Sequence, residues 1–509
     1  MDDPRAWLQR HVSEVPAQPA LTDEHGVWSF AQLDDVVRRM AGGLEEAGIR
    51  ENARVMLAAR KSRLTVALAI ACFRNGVGIV PIDPDSPARR LRSMIATATP
   101  SLMVTDHPVV AQHAAESGIP IATTEALATG DRADGARPMA AFDPERVAYL
   151  MFTSGSSGEP KAVTIPWRAL ASFYTAILPY YPVKRGARCL NTAPAYFDVA
   201  VLDTWFPLFV GAHVRLTQPA DLFPPRFLDI LSSDRIQFMC CVAPQLKLVA
   251  ECGSLMDYID LTSLDTIMTG AESPDPSAMQ RWIAAAPKLK LLNGYGPTEA
   301  TCVCTVYVIS RDNVADPVPY PIGRELSDVI CRIVVDGRPI DETDQDGELW
   351  VAGPQVMQRY FGNDAETQAR LVTVDGRIFY RTGDRVRKLP SGDLMYLGRV
   401  DEEVKVGGYR INLLELTAWA NRHPDVRESF AAAVLSSRTG YRQLALALRL
   451  DSDQVDRVIA EVQATLASHL PKYMLPRQIY AFPEFPRLRS GKLDKRALAE
   501  TLDREVNAA

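Results

Sequence analysis

Apolar positions along the chain follow a repeating grammar: a helix-length amphipathic segment, a short β-branched run, then a Gly, Pro or Asp turn. In "SFAQLDDVVRRMAGGLEEAGI" (29–49) the apolar residues fall at helical spacing behind a capping-type Ser29, which predicts a helix. "ARVMLAA" follows as a strand, and "RLTVALAIACFRNG" leading into "GIVPIDP" repeats the pair. The grammar continues through "PSLMVTD", "RIQFMCCVAP", "LDTIMTGAE" and "KLKLLNGYGPTE". Strands alternating with helices predict an α/β sheet with buried parallel strands. From about residue 320 the texture changes to strands and turns, as in "VICRIVVDGRPI", "GELWVAGP", "RIFYRTGDRVRKL" and "GDLMYLGRV". After Asp401 it returns to mixed helices and strands, among them "LLELTAWANRH", "ESFAAAVLSS", "QLALALRL" and "VDRVIAEVQATLASHL". The expected organisation is a large N-terminal domain, 1–400, of α/β sheets with a β-rich lobe, followed by a small α+β domain, 401–509.

At 509 residues and 47% hydrophobic content the chain is too long for one compact core, which fits this division. Its 56 Lys+Arg against 62 Asp+Glu give a net charge of -6, and no basic run suits a nucleic-acid backbone. The eight cysteines (Cys72, Cys189, Cys240, Cys241, Cys252, Cys302, Cys304, Cys331) form no C-x-x-C pair, which fits reduced thiols in a cytoplasmic protein. The charged N-terminus lacks an apolar signal core, and no apolar run approaches the roughly 20 residues of a membrane span. No membrane partner is expected.

"TSGSSGEPK" (153–161) follows the strand-like "RVAYLMF", at a carboxyl end where α/β folds place ligands. Small residues there turn backbone N–H groups and hydroxyls towards an anion, and Lys161 adds a charge. The spacing is not that of a Walker A loop, and no G-x-S-x-G occurs in it. Taken alone, it reads as a phosphate cradle, a plain loop, or part of a serine amidase.

Further motifs resolve the choice. "TSGSSGEPKAV", "NGYGPTEAT" (293–301), "GELWVAGPQVMQRYFG" (347–362), "YRTGDRVRKLPSGDLMYLGRVDEEVKVGGYRI" (380–411) and "RSGKLDKRAL" (489–498) stand in the order found in adenylate-forming enzymes. The chain resembles that superfamily of acyl-CoA synthetases, luciferases and nonribosomal peptide synthetase adenylation domains, and most closely a stand-alone amino-acid adenylation domain. The resemblance implies ATP and Mg²⁺ as cofactors, with Thr153, Ser154, Gly155, Ser156, Ser157, Gly158 and Lys161 as the phosphate loop. It places Gly270, Ala271, Glu272, Asn293 and Tyr295 around the nucleotide, Asp384 on the ribose hydroxyls and Arg399 as ribose and phosphate partner. Thr298 offers a hydroxyl to phosphate, and the carboxylate of Glu299 a ligand to Mg²⁺. The resemblance makes Asp401 a hinge for a mobile C-terminal domain, and Lys492 the lysine that reaches the substrate carboxylate and α-phosphate. Attack of a carboxylate on the α-phosphate then gives an acyl-adenylate and pyrophosphate, by positioning and electrostatics rather than a nucleophilic side chain.

"PAYFDVAVLDTW" (194–205) addresses the choice of acid. Asp198, after Phe197, matches the aspartate that pairs with the substrate ammonium in amino-acid-activating members, and a carboxylate in this apolar strand or helix start needs a cation. The family's pocket positions carry over to Asp198, Val199, Leu202, Cys241, Ile267, Thr269, Gly294, Cys302, Val303 and Lys492. This neutral lining implies a small to medium aliphatic amino acid, α or β. The expected acceptor is the phosphopantetheine thiol of a separate carrier protein, because no carrier segment follows "RSGKLDKRALAETLDREVNAA" and no H-x-x-x-D-G motif occurs. A coenzyme A ligase for a small carboxylic acid is the alternative, with Asp198 as the discriminating feature. Two departures from the family pattern fall on the second-step surface: Asn412 and Leu413 replace a frequent Glu and small residue or proline, and Gly407 a frequent basic residue.

Overall fold

The computed structural model describes residues 3–508 apart from 130–137, 156–158, 316–318, 341, 401–402, 453 and 489–492. The chain divides into two compact units. The larger holds 1–84, 95–152 and 162–400; the smaller holds 401–509 together with 85–94 and 153–161, two segments expected in the large domain.

Within the larger unit the helix-and-strand grammar forms two sheets. In the nine-stranded sheet, Pro19–Asp23, His213–Leu216, Arg188–Asn191, Phe238–Cys240, Thr266–Gly270 and Lys290–Tyr295 run parallel, with antiparallel strands at both edges. The seven-stranded sheet sets Gly78–Pro81, Arg54–Leu57 and Leu102–Val104 side by side in parallel. The helix predicted behind Ser29 spans Phe30–Glu46, and Ser29 with Gln32 makes a capping box that satisfies the first turn. Arg63–Arg74 is capped in the same way by Ser62 and Thr65, and is buried on nearly every side, as its continuous apolar sequence requires. The β-rich lobe is a six-stranded antiparallel sheet built on the long strand Arg377–Lys388.

The nine-stranded sheet separates two apolar clusters. One contains Leu202, Trp205, Cys240, Met268, Leu292, Cys302 and Val303. The other contains Leu190, Met239, Cys241, Ile267 and Leu291. Consecutive residues alternate between them because strand side chains alternate faces.

The smaller unit pairs Val426–Leu435, Arg442–Leu450 and Gln478–Phe482 into a three-stranded sheet and carries the hairpin Glu403–Val406/Tyr409–Asn412. Gly407 (φ 63°) and Gly408 (φ 85°) turn that hairpin in the left-handed region, which accounts for a glycine where the family often has a basic residue. Asn412 caps helix Leu413–Ala420 by accepting from the Leu414 N–H at 2.9 Å. No described helix is long and apolar enough to cross a membrane.

Candidate active site

The carboxyl ends of strands Thr266–Gly270 and Lys290–Tyr295 lie side by side, with Gly270 opposite Gly294. A Cβ on Gly270 would stand 2.4 Å from the Gly294 carbonyl oxygen, so only glycine allows this approach. The chain beyond these ends is strained: Ala271 (φ 66°), Thr301 (φ 57°) and Cys302 (φ 71°) are all left-handed. Gln355, from the "GPQVMQRYFG" segment, stabilises the second turn. Its Nε2 donates to the carbonyls of Ala300 (3.3 Å) and Val303 (2.9 Å), and its backbone carbonyl accepts from Thr301 Oγ1 at 2.6 Å. Glu272 follows Ala271, half-buried.

Tyr295, Asp384 and Arg399 form one buried set. The Tyr295 hydroxyl donates to Asp384 Oδ2 at 2.5 Å and Arg399 Nη1 to Oδ1 at 2.9 Å. Asp384 and Arg399 face each other on neighbouring antiparallel strands, which fixes the ion pair by register. Burial, and then the Asp384 charge, push the Tyr295 phenol well above its ordinary range, so it stays a donor. Asn293, two residues earlier in the same strand, gives its Nδ2 hydrogen to the Pro321 carbonyl at 2.7 Å.

Glu299 lies in the one-turn 3₁₀ segment Thr298–Ala300 and is 1% exposed. Tyr360 donates to its Oε1 at 2.7 Å, and its backbone carbonyl accepts from Met357 N–H at 2.8 Å. Thr298 beside it is half-buried. Two oxygen donors in adjacent positions suit a hard cation that keeps part of its water shell.

Phe197, Asp198 and Val199 are half-buried in the turn before a π-helical stretch, Val201–Trp205, rather than within a strand or at a regular helix start. Burial and the nearby Asp198 charge raise the Cys302 thiol and the Tyr149 phenol, which places all three groups in one neighbourhood. Leu202, Cys302 and Val303 pack in the first cluster, and a Cβ on Gly294 would stand 2.7 Å from Met268 Sδ and 3.4 Å from Val303. The side chains of Cys241 and Ile267 do not join them. Both pack in the second cluster, while Cys240 and Met268, their neighbours in sequence, face Leu202 and Cys302. Thr269 alternates with Met268, is 1% exposed, and its Oγ1 has no hydrogen-bond partner. Period-two alternation in the sequence sets Cys240 and Met268 on one face and Cys241 and Ile267 on the other. Tyr360 and Gln355 gave no such signal, because their partners are 61 and 52–55 residues away.

In the smaller unit Thr153 ends the strand Val147–Thr153, and Ser154 Oγ donates to the Arg410 carbonyl at 3.0 Å. A Cβ on Gly155 would meet the Glu159 carbonyl oxygen at 2.1 Å, so only glycine fits there. Lys161 is buried at the start of strand Lys161–Pro166. Ser156, Ser157, Gly158, Asp401 and Lys492 lie outside the described residues.

Residues 8–361 match the family described as AMP-binding enzyme, and 415–492 match the AMP-binding enzyme C-terminal domain. The chain belongs to the AMP-binding enzyme family. It is 30% identical to the L-proline--[L-prolyl-carrier protein] ligase of Pseudomonas fluorescens, over 97% of this chain and 98% of that one. With phenyloxazoline synthase MbtB of Mycolicibacterium paratuberculosis it shares 29% identity over 97% of its own length but only 42% of the relative's. The solved structure of PA1221, a nonribosomal peptide synthetase protein containing adenylation and PCP domains, superimposes with a TM-score of 0.82 at 26% identity, covering 98% and 97% of the two chains. This AMP-binding enzyme is accordingly an ATP-dependent adenylating ligase of mixed α/β fold, with a large N-terminal and a smaller C-terminal domain.

Proposed function

We propose that this enzyme activates a small to medium aliphatic amino acid, α or β, as its adenylate and passes the aminoacyl group to the phosphopantetheine thiol of a carrier protein. The observation that carries the amino-acid reading is Asp198: a carboxylate held at the edge of a sulfur- and alkyl-lined cluster, beside Cys240, Cys302 and Tyr149. A substrate ammonium brought to this turn would pair with that carboxylate. Met268 takes up the room beside Gly294, and with Leu202, Cys302 and Val303 it leaves an uncharged lining that favours short alkyl side chains.

In this reading Tyr295 faces the adenine, Asn293 and the Gly270–Glu272 turn border the base, and Asp384 and Arg399 take the ribose. Residues 153–161 close on the β- and γ-phosphates. Glu299 would hold Mg²⁺, with Thr298 on the phosphate oxygens. The cation supplies neutralisation of charge developing on the phosphates as pyrophosphate leaves. Lys492 binds the substrate carboxylate and α-phosphate, and the small domain turns about Asp401 for thioester formation.

Pyrophosphate exchange over a panel of amino acids and their des-amino analogues tests this. A signal with short aliphatic amino acids is expected, and Asp198→Ala should abolish the preference over the des-amino acid. Exchange driven only by carboxylic acids without an amino group would replace this reading with a coenzyme A ligase.

A further inference from the structure

The turn that carries Phe197 and Asp198 is tied shut at its base. Strand Arg188–Asn191 leads in and the π-helical stretch Val201–Trp205 leads out. Asp203 binds both limbs. Its Oδ2 accepts from the backbone N–H groups of Thr192 (3.0 Å) and Ala193 (2.9 Å), and its Oδ1 from Asn191 Nδ2 (2.8 Å) and Thr204 Oγ1 (2.9 Å). Its own N–H donates to the Val199 carbonyl at 3.0 Å, one residue past Asp198. The widened turn, with Phe206 N–H on the Val201 carbonyl, coincides with this tie; π-turns are frequent at functional sites.

Lys61 reaches the same segment from the turn before helix Arg63–Arg74. Its Nζ donates to the Ala193 carbonyl and to Thr217 Oγ1, both at 3.3 Å, and Thr217 Oγ1 donates to the Asn191 carbonyl at 2.8 Å. Thr192 Oγ1 donates to the Cys240 carbonyl at 2.6 Å, which fastens the turn to the strand lining the cluster. Asp203 is 1% exposed, and a carboxylate is a costly group to bury where a neutral side chain would pack equally well. Burial raises its pKa, while the donors at Ala193, Asn191 and Thr204 and the charge of Lys61 oppose that rise. Its two oxygens are engaged with the entry strand, the turn and Thr204, so its work is to hold a backbone.

We propose that Asp203, with Lys61 as its counter-charge, is the positioning residue that sets the carboxylate of Asp198 for the substrate ammonium. The proposal rests on the reading of Asp198 given above. Asp203 touches no reacting atom. It fixes the turn on both sides of Asp198, and the placement of one charge against another tolerates little displacement.

The test uses the full chain in pyrophosphate exchange and reads one ratio: kcat/KM for the preferred amino acid over kcat/KM for its des-amino analogue. A ratio is insensitive to the fraction of enzyme folded, so a merely destabilised variant leaves it unchanged. In Asp203→Asn an amide NH₂ replaces one acceptor facing the Thr192 and Ala193 N–H groups or the Asn191 and Thr204 donors. The ratio should fall about tenfold or more, with KM for ATP held within about twofold. Asp203→Glu, which keeps the charge, should recover part of the loss. Lys61→Met should lower the ratio in the same direction, and it decides the matter if Asp203→Asn does not fold. An unchanged ratio in these variants, alongside a collapsed ratio in Asp198→Ala, overturns the positioning role alone. An unchanged ratio in Asp198→Ala overturns the ammonium reading, and this proposal with it.

Discussion

At the scale of single residues, Asp384 shows how a buried charge is kept and used. It is 2% exposed and receives one donor on each oxygen, Tyr295 and Arg399. The two partners are not equivalent. Removing the hydroxyl in Tyr295→Phe leaves the Arg399 bond intact and should cost about 1 kcal/mol of stability. Removing the carboxylate in Asp384→Ala takes the 2.9 Å ion-pair partner away from the Arg399 guanidinium, which is 5% exposed. That should cost about 3–5 kcal/mol, read by chemical denaturation. Under the proposed ribose role, KM for ATP rises in both variants and much more in the second. Equal stability losses would show that the pair is not what holds this part of the lobe.

At the scale of elements, the strand Thr266–Gly270 separates what the sequence made legible from what it did not. Its existence and direction could be read from "LDTIMTGAE" between two helix-like runs, and so could its place beside "KLKLLNGYG". Which of its side chains faces the site could not be read by matching positions to a family, because a shift of one residue exchanges the two faces. Met268 lies with Leu202 and Cys302, and Ile267 with Leu190 and Met239 on the other side. The same holds for Cys240 and Cys241. The π-helical stretch at Val201–Trp205 was equally illegible, since it differs from an α-helix by one residue per turn in a short apolar run. Two substitutions separate the faces. Met268→Ala removes the group filling the space beside Gly294 and should extend activity to longer alkyl side chains, measured over the same exchange panel. Ile267→Ala should cost about 2–5 kcal/mol by leaving a cavity in the second cluster, with the substrate profile unchanged. A profile that shifts with Ile267 and not with Met268 would reverse the assignment of faces.

At the scale of the whole molecule, the change of texture near 400 was visible in the sequence, but the membership of the smaller unit was not. Segments 85–94 and 153–161 cluster with 401–509, and contacts across more than 250 residues leave no local pattern to read. One of them is the ion pair of Arg90 Nη1 with Glu415 Oε1 at 2.8 Å, its side chains 6% and 1% exposed. Glu415 stands on helix Leu413–Ala420, and its second oxygen has no hydrogen-bond partner. Burial raises its pKa and Arg90 opposes the rise. Arg90→Ala should therefore weaken the smaller unit by about 3–5 kcal/mol near neutral pH. The sign with pH follows from the raised pKa. Without Arg90 the penalty is full above the folded-state pKa of Glu415 and shrinks as pH falls through it, because a protonated carboxyl is cheaper to bury. Replacing both partners, Arg90→Met with Glu415→Leu, removes the unpaired charge and should restore most of the stability. Hydrogen exchange locates the effect. Amides of helix Leu413–Ala420 and strand Val426–Leu435 should exchange faster in Arg90→Ala, while those of the nine-stranded sheet keep their protection. Faster exchange spread evenly over both sets would mean that the two units unfold as one, and that this ion pair supports the whole chain.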